Sequence, residues 1–138
     1  MNIIRQHIYT HTIPIRWRDI DPYNVVNHSV FFTYLEEARW HWFYNLVLQK
    51  AIKCTTPIID AHITFKKPLT YPGSVLIKIY SELPSTKSWT IYHEIFSEKN
   101  PDILCAEASV KFVCFDPVSN KVIPIPEELM SHIYPQQA

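Results

Sequence analysis

The residues best placed to do chemistry in this chain stand together in one stretch. Asp19-Ile20-Asp21-Pro22-Tyr23-Asn24-Val25-Val26-Asn27-His28 runs straight into the apolar segment Ser29-Val30-Phe31-Phe32-Thr33-Tyr34-Leu35. A carboxylate, Asp21, is thereby set on a tight loop just ahead of a helix. A helix start leaves backbone N–H groups unpaired and carries partial positive charge, so a carboxylate and a ring of oxyanion donors can face the same small volume. Acyl transfer needs those two elements. The plainer reading of Asp21 is a turn residue that stabilises the loop through its own backbone, a common role for Asp before Pro. Asn27 suits an N-cap. Tyr23 either orients Asp21, touches a bound acyl chain or is an ordinary half-buried tyrosine.

Other candidates are sparser. Glu36 and Arg39 lie three apart on one helix face and can pair locally; alternatively Glu36, on a buried helix near the loop, holds or activates water. Thr64 offers a hydroxyl, and Lys66 and Lys67 offer positive charge to an anionic group, although lysines at an exposed strand end are usually only solvated. His41 lies one turn from Glu37, and His7 and His11 share a strand face. With no third partner at a recognisable spacing, these give no expectation of a metal site. Cys105 and Cys114 read as small core residues, because a nucleophilic cysteine needs a nearby histidine and an electropositive setting.

The elements that must position these groups follow from periodicity. From His7 to Arg18, Tyr9, Ile13, Ile15 and Trp17 fall at odd positions, which reads as a strand, with Pro14 marking an edge or bulge. From about Ser29 to Gln49 the helical template fits: Phe31, Leu35, Ala38, Trp42 and Leu46 share one face. Phe32, Tyr34, Trp40, Phe43, Tyr44, Val47 and Leu48 spread apolar surface round the rest, so the helix is expected to be buried nearly all round. Alternation then gives strands at Ile59 to Phe65, Val75 to Tyr80, Trp89 to Ile95 and Leu104 to Cys114. The last two form a hairpin turning near 98–102. Pro124-Ile125-Pro126-Glu127-Glu128-Leu129 opens a short helix with acidic residues in its first turn. One long helix wrapped by a curved antiparallel sheet is an α+β arrangement. A sheet of this size leaves apolar surface uncovered, so the strands are expected to continue across a two-fold axis into a partner chain.

Composition narrows the function classes. The 138 residues fit one domain spanning 1–138, and 47% hydrophobic with 14% aromatic content supports a packed core. Thirteen basic and thirteen acidic residues cancel, so the field that nucleic-acid binding uses is absent. No apolar run approaches the roughly 20 residues of a spanning helix, and the N-terminal residues lack a signal-peptide core. Three widely spaced cysteines, Cys54, Cys105 and Cys114, fit reduced thiols and a cytoplasmic location.

Arg16-Trp17-Arg18-Asp19-Ile20-Asp21, Asn24-Val25-Val26-Asn27-His28 and Leu35-Glu36-Glu37-Ala38-Arg39 resemble the 4-hydroxybenzoyl-CoA thioesterase-like acyl-CoA thioesterases of the hotdog fold. Ile63-Thr64-Phe65-Lys66-Lys67-Pro68 looks like that family's strand after the helix, and Pro124 to Leu129 like its usual ending. Many members carry a glycine–histidine or double-glycine step where this chain reads Asn24-Val25. The resemblance implies an acyl-CoA thioesterase needing no cofactor, with Asp21 as general base or nucleophile and the His28 amide polarising the thioester carbonyl. On that reading Tyr23, Asn27, Phe31, Glu36, Thr64, Lys66 and Lys67 are the candidate substrate contacts by their own chemistry, the lysines through coenzyme A phosphates. The partners would be an acyl-CoA or acyl-carrier-protein thioester and a second copy of the chain, as a homodimer or dimer of dimers. A non-catalytic acyl-CoA or acyl-carrier-protein binding protein using the same pocket is the alternative.

Overall fold

The computed structural model of the chain describes residues 4–49, 52 and 54–135. In chain order the elements are β1 (Gln6–Pro14), a single 3-10 turn (Trp17–Asp19), α1 (His28–Gln49), β2 (Ile58–Phe65), β3 (Ser74–Ser81), β4 (Ser88–Ser97), β5 (Asn100–Asp116), β6 (Lys121–Ile123) and α2 (Glu127–Ile133). The strands form one antiparallel sheet in the order β1-β3-β4-β5-β2, with β6 added to the far end of β5. Among the described residues no helix is long and apolar enough to cross a membrane.

Strict alternation builds the inner face. Val75, Ile77 and Ile79 of β3, Ile91 and Ile95 of β4, and Ala106, Ala108 and Val110 of β5 are all buried under α1, which contributes Phe31, Leu35, Ala38 and Trp42. The small side chains of β5 let the helix approach, and the branched ones of β3 and β4 fill the space beside it. α2 closes one end with Leu129 and Ile133. Its His132 ring stacks on Trp42, with centroids 4.9 Å apart, and Glu127 and Glu128 lie in its first turn.

Four expectations are corrected. α1 is not buried all round: Phe32 is 45% exposed and Trp40 48%, because the sheet covers only one side of the helix. The side chains of Tyr44, Leu46, Val47 and Leu48 lie outside the described residues. β1 stops at Pro14, and Trp17 turns out to solvent in the 3-10 turn. His7 and His11 do not share a face, since a bulge between His7 and Tyr9 resets the alternation. His7 packs on Tyr80, while His11 stacks on His41 of α1 at 4.1 Å and comes within 3.8 Å of Glu37. The β4–β5 turn is tighter than 98–102, with only Glu98 and Lys99 between the strands, and β6 is an added strand.

β2 stands apart from the other strands. It is one of the two sheet edges, opposite β1, and Ile58, Ile59 and Phe65 are each about half exposed, at 47%, 56% and 49%. An apolar edge strand beside an apolar helix flank is surface that a lone chain leaves wet.

Candidate active site

Between Asp19 and Asn27 the chain doubles back as a miniature hairpin. Asn27 N–H donates to the Asp19 carbonyl at 2.9 Å, Asp21 N–H to the Val25 carbonyl at 2.9 Å, and Asn24 N–H to the Asp21 carbonyl at 3.0 Å. Ile20 pairs with Val26 between them. The reversal needs one residue in the left-handed region, and Asn24 takes it at φ 63°. Asparagine tolerates that conformation because its short amide can bond locally, so it does here what glycine does elsewhere. The hairpin is tied down by Val26 N–H donating to the Leu69 carbonyl at 2.8 Å.

Its two aspartates face opposite ways. Asp19 is buried, and its Oδ2 accepts the Tyr34 hydroxyl at 2.7 Å and the Arg16 N–H at 2.9 Å. Burial first, and the bond to Asp19 second, raise the Tyr34 pKa far above its ordinary value, so the phenol remains a donor. This clamp locks the hairpin to α1. The spacing of Asp19 and Asp21 gives no sign of it, because Asp19 closes the 3-10 turn and Asp21 lies beyond it on the hairpin. Asp21 is half-buried, and its Oδ1 accepts the Tyr23 N–H at 2.8 Å. Oδ2 of Asp21 has no partner among the described residues. The turn role and a free carboxylate oxygen therefore coexist in one side chain.

The helix start offers the complementary charge. Asn27 Oδ1 accepts the Ser29 N–H at 3.2 Å and the Asn27 carbonyl accepts the Val30 N–H at 2.9 Å, so Asn27 caps α1. The His28 N–H donates to no group among the described residues, and its ring is exposed. Beneath this end lies a cavity of about 290 Å³ lined by Val25, Val26, His28, Phe31, Phe65, Lys66, Lys67 and Pro68. Phe31 meets Phe65 edge to face at 5.0 Å. Asp21 stands beside this cavity, opposite Val25, rather than in its wall.

The N–H groups of Lys66 and Lys67 both donate to the Cys105 carbonyl, at 2.8 and 3.0 Å, so β2 ends abruptly and both side chains reach the cavity rim. Lys66 Nζ lies 3.7 Å from Glu107, an exposed pair worth little. The structure does not bring Thr64 here: alternation with Phe65 turns it to the outer face of the sheet, where it bonds His62 at 3.2 Å. Tyr23 points to solvent, 86% exposed. Glu36 lies two turns along α1 at a second cavity. It forms no ion pair with Arg39, whose guanidinium turns inward to 5.4 Å from the Phe112 ring centre. Among the described residues no cluster of three metal-ligating side chains exists.

A family model described as the thioesterase-like superfamily matches residues 15–133. The chain is similar to the long-chain acyl-CoA thioesterase FadM of Escherichia coli strain K12, at 28% identity over 120 residues covering 85% of this chain and 90% of that protein. Among solved structures, the PA2801 protein of Pseudomonas aeruginosa superposes with a TM-score of 0.84 at 29% identity, covering 93% of this chain and 99% of that one. Slr0204, a 1,4-dihydroxy-2-naphthoyl-CoA thioesterase from Synechocystis, superposes with a TM-score of 0.80 at 21% identity, covering 91% and 94%. The curved antiparallel sheet and its long helix are a hotdog fold.

Proposed function

The chain belongs to the thioesterase-like superfamily, and we propose that it hydrolyses an acyl-CoA thioester to a free carboxylic acid and coenzyme A. The observation that supports this most is the uncommitted His28 N–H at the start of α1, with the free oxygen of Asp21 on the adjoining hairpin. A thioester carbonyl oxygen seated against that amide gains a donor as negative charge develops on it. Asp21 then either attacks the carbonyl carbon, giving a mixed anhydride, or removes a proton from attacking water. In both routes the thiolate leaves. In the base route water supplies the new oxygen of the acid; in the anhydride route water attacking the Asp21 carbon leaves its oxygen in that carboxylate while the acid departs with an Asp21 oxygen. Phe31 and Phe65 would hold the first part of the acyl group, and Lys66 and Lys67 the phosphates of coenzyme A.

Thiol release from a panel of short, long and aromatic acyl-CoAs tests this reading, with Asp21→Asn as control. Full activity in that variant would remove Asp21 from the mechanism. Single turnover in heavy-oxygen water separates the two routes, because only direct attack places label in the Asp21 carboxylate.

The same reading includes self-association, as a homodimer or dimer of dimers. It is supported by the half-exposed apolar edge β2 and by Phe32 and Trp40 on the uncovered flank of α1. Sedimentation as a monomer at micromolar concentration would count against it. A cytoplasmic location is in keeping with Cys54, Cys105 and Cys114, all free thiols.

A further inference from the structure

The middle of α1 carries polar groups that the hydrolysis proposed above leaves unused. Arg39 lies eleven residues beyond His28, about 16 Å along the helix axis. With Glu36, Trp42, Trp89, Phe112 and Ile58 it lines a second cavity of about 260 Å³. Its Nη1 atom is fully enclosed and bonds to nothing among the described residues. Burial pushes its pKa down to about 10, with Glu36 opposing, so the guanidinium stays charged at neutral pH. Near it the His93 ring of β4 is wholly buried with both nitrogens unbonded. Trp89 and Phe112 stack at 5.2 Å and 11°, which gives the chamber a flat apolar wall.

An enclosed cation with a donor that no protein group satisfies, among aromatic side chains, is costly to bury. An anionic oxygen would remove the cost. β2 runs from Ile58 at this cavity to Phe65 at the first one, so both open along the same flank of α1. A single ring bound at His28 would not span the distance to Arg39, whereas an extended chain would. Resting on the thioesterase reading, we propose that the second cavity receives the distal end of the acyl group. There Arg39 selects chains that end in a carboxylate, the mono-CoA thioesters of long dicarboxylic acids. The planar guanidinium suits a carboxylate in geometry and charge, and the aromatic walls suit the methylenes before it.

Trp40, Trp42 and Trp89 all line the cavity, so intrinsic fluorescence reports its occupancy without turnover. Titration with monomethyl dodecanedioate and with dimethyl dodecanedioate, which differ only in the terminal carboxylate, is expected to show the acid binding about tenfold more tightly or better, the range of a hydrogen bond to a charged group. Arg39→Met should abolish that preference while keeping the diester affinity. Equal affinities in the unmodified protein, no response to either compound, or methyl 12-hydroxydodecanoate binding as tightly as the acid would each overturn the proposal without recourse to the variant. Thiol release from the mono-CoA thioester of dodecanedioic acid and from dodecanoyl-CoA separates the two readings. Hydrolysis of both at equal kcat/KM ends only this inference, whereas hydrolysis of neither ends the thioesterase reading.

Discussion

The start of α1 and its middle treat polar groups in opposite ways. At the start, satisfaction is nearly complete and mostly local: Asn27 serves Ser29 and Val30, Asp21 serves Tyr23, and Tyr34, fifteen residues on, serves Asp19. The His28 amide and one oxygen of Asp21 have no partner among the described residues. In the middle, Arg39 and His93 are brought together by packing and left unbonded in the interior. The first region is settled mostly by neighbours in sequence and keeps a reactive pair in reserve. The second is unsettled in the chain by itself, which is what a site completed by a ligand requires.

The comparison is broken most forcefully at the reactive pair. Asp21→Asn keeps the acceptor for Tyr23 N–H but removes the charge, so thiol release should fall by about 10²- to 10⁴-fold with little change in melting temperature. A melting transition that collapses alongside activity would show that the carboxylate serves the loop rather than the reaction. His28→Pro deletes the uncommitted N–H at a position where proline suits a helix start, and kcat should drop by about 10²- to 10³-fold. His28→Ala retains the N–H and should remain active. Equal loss in both variants would move the role from the backbone to the ring.

Smaller effects test how the hairpin is held. Tyr34→Phe removes the donor to buried Asp19 and should cost about 1–3 kcal/mol of unfolding free energy in urea. Activity at saturating substrate would survive if the clamp only positions the loop. A loss of activity without loss of stability would place Asp19, not Asp21, nearer the chemistry.

What the sequence made legible divides along the same line. The Asp21 loop, the Asn27 cap, the inward faces of β3, β4 and β5 and the acidic start of α2 were all readable, because each depends on residues a few positions apart or on strict alternation. The pairing of Tyr34 with Asp19 and the inward turn of Arg39 were not. Spacing along α1 put Arg39 beside Glu36, and a local i, i+3 ion pair was the natural inference. Packing against Phe112, some seventy residues further on, drew the guanidinium away. Thr64 was misplaced because a family motif gives residue identity without saying which strand face the residue takes. The uncovered flank of α1 was unreadable for a related reason: all-round apolarity does not say whether the covering surface belongs to the same chain.

His93 offers the finest test of the unsettled region. Burial foremost, and the neighbouring Arg39 charge second, push its pKa from 6.5 down to about 3, against a weaker opposing effect of the Ala108 carbonyl. In the unfolded chain the ring takes up a proton below pH 6.5, whereas in the folded chain it stays neutral until about pH 3. Between those values the unfolded state binds more protons, so stability must fall as pH falls, by at most about 1.4 kcal/mol per pH unit. His11, also lowered by burial and by His41, contributes in the same direction, so the unmodified slope alone does not isolate His93. His93→Leu does, since it removes the titrating ring and fills the space with an apolar side chain. Urea unfolding at pH 6 and pH 5 should give the variant a slope shallower by close to that full amount. Parallel slopes would mean that the ring is protonated in the folded chain. The interior beside Arg39 would then already hold an anion-accepting pair of cations, with no neutral imidazole between the guanidinium and the sheet.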